Sequence, residues 1–189
     1  MNDIWKQILN EIKRISPDIY NTINKPAEIQ QIMELNEFLG CNLPQSFIDF
    51  FLVFNGQSEK GIDFPLIGNN RFLPIAEIIK TIEQQDFLFG DEEPISHIKE
   101  NKIKPVFWNN LWVPFADCEA NTRLILDLDA GKNGTNGQVI QLWSGIDYED
   151  DVVVSNSFEE FSKELLRRLK NNEFKLESDT IEFEDYWII

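Results

Sequence analysis

The stretch that leaves the fewest folds open is LPQSFIDFFLVFNGQ, residues 43–57. Pro44 favours the start of a helix, and Asn55-Gly56 favours its end. Between them Phe47, Ile48, Phe50, Phe51, Leu52, Val53 and Phe54 leave almost no polar side. A helix that is apolar all round has no face to give to water, so it belongs in the middle of a core. Other elements must then pack around it. A chain of 189 residues is long enough to supply them as one domain, without disulfides or a structural metal.

The flanking segments read as those elements. Ile4, Trp5, Ile8, Leu9, Ile12 and Ile15 recur at helical spacing until Ser16-Pro17 ends the run. A second helix is predicted from Pro26 to Gly40, carrying Ile29, Ile32 and Met33. Pro74 opens another, with Ile75, Ile78, Ile79 and Ile82 on one face. The second half changes period. Segments 105–108, 111–117, 122–129, 138–143 and 152–154 are short, β-branched or aromatic, and separated by turn residues. In RLILDLD, Leu124, Leu126 and Leu128 share one face while Arg123, Asp127 and Asp129 share the other. That alternation predicts a sheet with one buried side. Ser157 and Glu160 have the spacing of a capping box. Phe158, Phe161, Leu165 and Leu169 follow as an apolar stripe, with Arg167, Arg168 and Lys170 in the last turn, where cations suit the helix dipole.

The expected architecture is a single α+β domain over residues 1–189: N-terminal helices, a mostly antiparallel sheet of about five or six strands, and a closing C-terminal helix. Its core covers about 25–170. An acidic, aromatic tail follows over 171–189, as a docked strand or helix or as loose chain.

Chemistry is harder to find. LDLDAGKNGTNGQVIQLW, residues 126–143, runs two aspartates into Gly131, Gly134 and Gly137. As a calcium loop starting at Asp127 it fails at three positions, where Gly131, Lys132 and Gln138 replace the required acid or amide, glycine and glutamate. As a phosphate loop it fails because Asn133 follows Gly131-Lys132. It reads instead as a hairpin connection whose Gly and Asn residues tolerate positive φ. The single histidine, His97, lies in a polar stretch and cannot by itself build a zinc site. Cys41 and Cys118 form no CxxC pair and read as buried thiols of a reducing compartment. Trp5, Trp108, Trp112 and Trp143 read as packing residues, and Trp187 as a contact residue. No catalytic residue, metal or cofactor is assigned.

Charge is more informative. Seventeen Lys and Arg against 33 Asp and Glu give a formal net charge of −16. Such a field repels nucleic acid and anionic membranes and attracts basic partners. The acids are clustered: DEE (91–93), DYEDD (147–151) and the tail 176–189 contain no Lys or Arg. The N-terminus carries Asp3 and Glu11 with no apolar signal region, and no apolar run approaches membrane-spanning length. The expected setting is the cytoplasm, and the expected state a monomer.

Two segments carry a family resemblance. LPQSFIDFFLVFNGQ resembles the Leu-Pro…Asn-Gly helix of the SUKH superfamily. LWVPFADCEANTRLILDLDAGKNGTNGQVIQLW, residues 111–143, resembles its second signature: a Trp-x-Pro strand, a Leu-Asp-Leu strand, a glycine turn and Gly-Gln-Val-Ile. CEANTR departs from the Gly-rich acidic turn usual there, and the acidic tail lies outside the pattern. The superfamily is that of the fungal Smi and Knr cell-wall-synthesis regulators and of many bacterial immunity proteins. The resemblance implies a non-catalytic α+β module that binds proteins. With the charge, it points to an immunity protein that neutralises a cognate toxin with a basic surface, such as a nuclease. A regulatory module binding cellular proteins is the alternative. Shared residues would build the scaffold and exposed acids would choose the partner. The expected contact residues are Asp147, Tyr148, Glu149, Asp150 and Asp151, with Asp185, Tyr186 and Trp187 in the tail.

Overall fold

The computed structural model describes residues 2–96, 99–118, 122–143, 153–177 and 180–183. The described residues form helices α1 (Asn2–Ile15), α2 (Pro17–Asn21), α3 (Ile29–Leu39) and α4 (Gln45–Phe51). Strand β1 (Arg71–Phe72) and helix α5 (Ile75–Phe89) follow, then β2 (Trp112–Cys118), β3 (Thr122–Asp127), β4 (Gln138–Trp143) and β5 (Val153–Ser155). Helix α6 (Phe158–Asn171) and a hairpin of β6 (Lys175–Glu177) and β7 (Thr180–Glu182) complete the order. Strands β1 to β5 form one antiparallel sheet in chain order. This is the α+β arrangement expected, a single domain with its helix closing after the sheet.

Helix α4 lies at the centre. Phe47, Phe50 and Phe51 are fully buried, as is Phe54 just beyond its end. The Phe50 ring meets Trp5 at 4.8 Å, Phe54 at 4.7 Å and Phe158 at 5.6 Å. Phe47 meets Phe115 and Phe158 edge-on. Helices α1, α4 and α6 and one face of the sheet thus share one aromatic core. Helix α6 is set as its sequence requires. Ser157 Oγ accepts the Glu160 amide at 3.1 Å, Glu159 and Glu160 occupy the first turn, and Asn172 closes the helix in the left-handed conformation. Helix α5 packs along β2 and carries α3.

Several expectations need correction. Helix α3 starts at Ile29, not at Pro26: Ala27 N donates to Phe51 O at 2.9 Å, which holds this stretch extended against α4. Glu28 and Gln31 cap the helix reciprocally instead. Segment 105–108 is not a strand. Ser16-Pro17 ends α1 but also starts α2, with Ser16 Oγ accepting the Ile19 amide. The sheet is not open on one side. Leu124, Ile125, Leu126 and Asp127 are all buried, so both faces of β3 are covered. Phe72, Ala116 and Leu124 share the face towards the helices. The other face, with Ile125 and Asp127, lies beneath residues 99–111, where Trp108 meets Trp112 edge-on at 5.9 Å. Pro114 is tolerated within β2 because β1 pairs only with Ala116 and Asp117, and the ladder shifts register between Pro114 and Ala116.

Beyond α6 the tail docks. Ile181 is fully buried, and its carbonyl accepts the Gly68 amide at 2.8 Å. Phe183 is buried under the Arg168 guanidinium, 5.7 Å from the ring centre.

Candidate binding surface and the signature motifs

The sheet has two ends with different chemistry. At one end, β2 hands over to β3 and β4 to β5. The β4–β5 connection carries the predicted Asp147, Tyr148, Glu149, Asp150 and Asp151, all outside the described residues. The same holds for Asp185, Tyr186 and Trp187, which follow the docked Phe183, and for His97. Of the described residues, this end brings together Arg71, Asp117 and Arg123 as cross-strand neighbours on one face. Arg71 is clamped by both carboxylate oxygens of Glu77 and also donates to Gln57 O at 3.3 Å. A cavity of about 400 Å³ lies beside it, lined by Asp63, Asn69, Arg71, Asp117, Cys118 and Thr180. Sequence reading did not anticipate this hollow, because its walls come from four separate segments.

The other end holds the glycine stretch. Burial pushes the Asp127 carboxyl up, against hydrogen bonds that favour its charge from Gln138 Nε2 at 2.8 Å and the Asp129 amide at 3.0 Å. Asp129 behaves oppositely. Its partial burial would raise its pKa, but the Lys104 ammonium at 2.5 Å and the Asn109 amide at 2.8 Å outweigh this and hold it below the usual carboxylate range. The loop then lies against residues 101–103. Gly131 N donates to Lys102 O and Asn133 N to Asn101 O. A Cβ on Gly131 would stand 2.4 Å from Asn101 O, and one on Gly134 2.1 Å from Lys102 O. Only Gly137 of the three has a positive φ, at 88°. Two of these glycines therefore answer to close backbone approach and the third to the turn. Both aspartates and the Gly131, Asn133 and Gly134 amides thus have structural partners. Among the described residues, no three His, Cys, Asp or Glu side chains converge as a metal site.

The first signature is equally structural. Asn55 Oδ1 accepts the Ile75 amide at 2.9 Å and so caps α5. Gly56 has φ of 63°, and a Cβ there would meet Leu73 C at 2.4 Å. Gln57 is fully buried. Its Nε2 donates to Thr22 Oγ1 at 2.7 Å and Phe64 O at 2.8 Å; its Oε1 accepts the Leu66 and Phe72 amides at 3.1 and 3.0 Å. Both donors and both acceptor sites of the amide are thereby used. Asn-Gly-Gln thus ties α2, β1 and α5 to the end of the central helix. Cys41 and Cys118 form no disulfide and are only half-buried, not the buried thiols expected.

Comparison with known proteins agrees with this reading. The model of the SMI1 / KNR4 family (SUKH-1) matches residues 26–164. A Debaryomyces hansenii protein named KNR4/SMI1 homolog 2 is 21% identical over 95% of this chain and 37% of its own length. A Neurospora crassa protein named glucan synthesis regulatory protein is 21% identical over 94% of this chain and 40% of its own. The chain therefore spans less than half the length of these curated relatives. Both signatures lie inside the matched region and build its scaffold, and the chain belongs to the SMI1 / KNR4 family (SUKH-1).

Proposed function

We propose that this chain is a non-catalytic protein-binding module of the cytoplasm, an immunity protein that binds a cognate toxin through an acidic surface and blocks it. The observation that carries the reading is the −16 charge, concentrated in stretches free of Lys and Arg. Toxins that cut nucleic acid present basic clefts, and an acidic surface competes for such a cleft and speeds association with it. Asp147, Glu149, Asp150 and Asp151 repel one another, a cost that a cationic partner would relieve. Tyr148 and Trp187 are residue types enriched in interface hot spots.

Co-expression with the product of the neighbouring gene tests the proposal, scored by survival and co-purification. Protection together with a stable complex is expected. Asp150→Lys with Asp151→Lys should leave folding intact and slow association, while Tyr148→Ala should act on the off-rate by about 2 kcal/mol. Absence of protection and of a complex would overturn the proposal. A second reading, a regulatory module that docks on cellular proteins, is favoured by the name of the Neurospora relative. An isolated housekeeping locus with no adjacent toxin gene would support it.

A further inference from the structure

The C-terminal end of α5 carries a surface that the fold does not use. Phe87 is 89% exposed and Leu88 57%. This is not a frayed end. Phe89 stacks on Phe107 at 6.3 Å, and Asp86 accepts a hydrogen bond from Asn110 Nδ2 at 2.8 Å. With Phe89 turned inward, Phe87, two residues earlier, points about 200° away around the helix, into solvent. Beside it runs an open groove of about 430 Å³ lined by Lys80, Glu83, Gln84, Gln85, Phe87 and Leu88.

The rim is acidic. From residue 80 to 94 the acids are Glu83, Asp86, Asp91, Glu92 and Glu93, all exposed, against the single base Lys80. The helix dipole worsens this arrangement. Of the three helices of 14 or 15 residues, α1 ends in Lys13 and Arg14 and α6 in Arg168 and Lys170, whereas α5 has no base in its last turn. Its negative end instead faces Asp91, Glu92 and Glu93. The isolated fold gains nothing from anions there. An exposed aromatic in a groove, next to a helix end that is followed by uncompensated negative charge, matches one kind of occupant.

We infer that the end of α5 is a docking surface for a basic polypeptide segment of a partner protein, in which an apolar side chain seats against Phe87 and Leu88 and flanking Lys or Arg meet Glu83 and the acidic helix terminus. The inference rests on the reading of the chain as a protein-binding module, and it adds residues other than those proposed in the β4–β5 connection and the tail.

A random 16-residue peptide library displayed on phage, selected on the full chain and counter-selected on Phe87→Ala with Leu88→Ser, tests it. Both side chains are exposed, so the variant should melt like wild type. The expected peptides carry Lys or Arg on both sides of an apolar residue. They should lose about 30-fold in affinity on the variant, the ~2 kcal/mol of a hot spot, and associate more slowly with Glu83→Lys combined with Glu92→Lys and Glu93→Lys. Peptides without a basic bias, or equal binding by the variant, would overturn the inference. So would sedimentation showing a wild-type dimer that Phe87→Ala dissociates, because the surface would then serve a second copy of this chain. The wider proposal is tested with a different ligand, the neighbouring gene's product, so the two can fail separately.

Discussion

At the scale of single residues, the fold depends on a few polar side chains that are fully used. Gln57 joins the end of α2, the loop at 64–66 and β1 through four hydrogen bonds in a buried site. Gln57→Leu keeps the volume but strands the Leu66 and Phe72 amides, so it should cost about 3 kcal/mol in a urea titration. Asp129 supports a pH test. Its folded pKa lies below 3.8, so its contribution is present above that value and is lost as pH falls through the folded pKa. Asp129→Asn should therefore lower the melting temperature at pH 7 by an effect of about 1 kcal/mol or less, since both partners are a third exposed. The gap to wild type should narrow as pH falls through the lowered pKa of the folded state. What a reader of the sequence can see at this scale is limited by distance along the chain. Gly137 is legible because its turn is local. Gly131 and Gly134 also read as turn glycines, but they are glycine because residues 101–103 press on them. Phe87 is missed for another reason: the stripe is read only to Ile82, although its seven-residue spacing continues to Phe89 and leaves Phe87 on the far side.

At the scale of elements, the apolar run Phe47–Phe54 predicted its own place. Phe50 touches rings from α1, α4 and α6. Phe50→Ala should cost roughly 3–5 kcal/mol, measured as the shift in denaturation midpoint. A variant that melts like wild type would contradict the central position of α4. Helices with both a clear stripe and a clear terminus were legible: α1 ends at Ser16-Pro17, and α5 and α6 start where Pro74 and Ser157 mark them. The elements that were not legible owe their state to a partner elsewhere. Pro26 and Ala27 are drawn out of a helix by Phe51 O. Residues 105–108 look like a strand but find no edge to join, and instead lie across the sheet face that the alternation of β3 had marked as solvent. The two-residue β1 is too short to show any period.

At the scale of the whole molecule, charge and topology act together. A chain at −16 repels itself, so raising NaCl from about 20 to 300 mM should raise the melting temperature. Calcium at matched ionic strength should add no saturable rise, because Asp127 and Asp129 are already held by Gln138, Lys104 and Asn109. A real site filled at 100 times its dissociation constant would add about 2.7 kcal/mol and be plain in the same scan. Topology sets a clock as well. Trp5 of α1 stacks on Phe158 of α6 at 5.8 Å, and Arg14 reaches Asn172, 158 positions along the chain. During synthesis α1 emerges early, while the ring that completes its socket is made only after the sheet. At 5–20 residues per second that interval is roughly 10–30 s. Through it Trp5, Ile8 and Ile12 stay without their final cover, and the contact that ends the wait is among the most non-local in the fold. Trp5 emission should therefore report the last event of folding, and the nascent chain's exposure to misassembly should lengthen with any slowing of translation between β1 and α6.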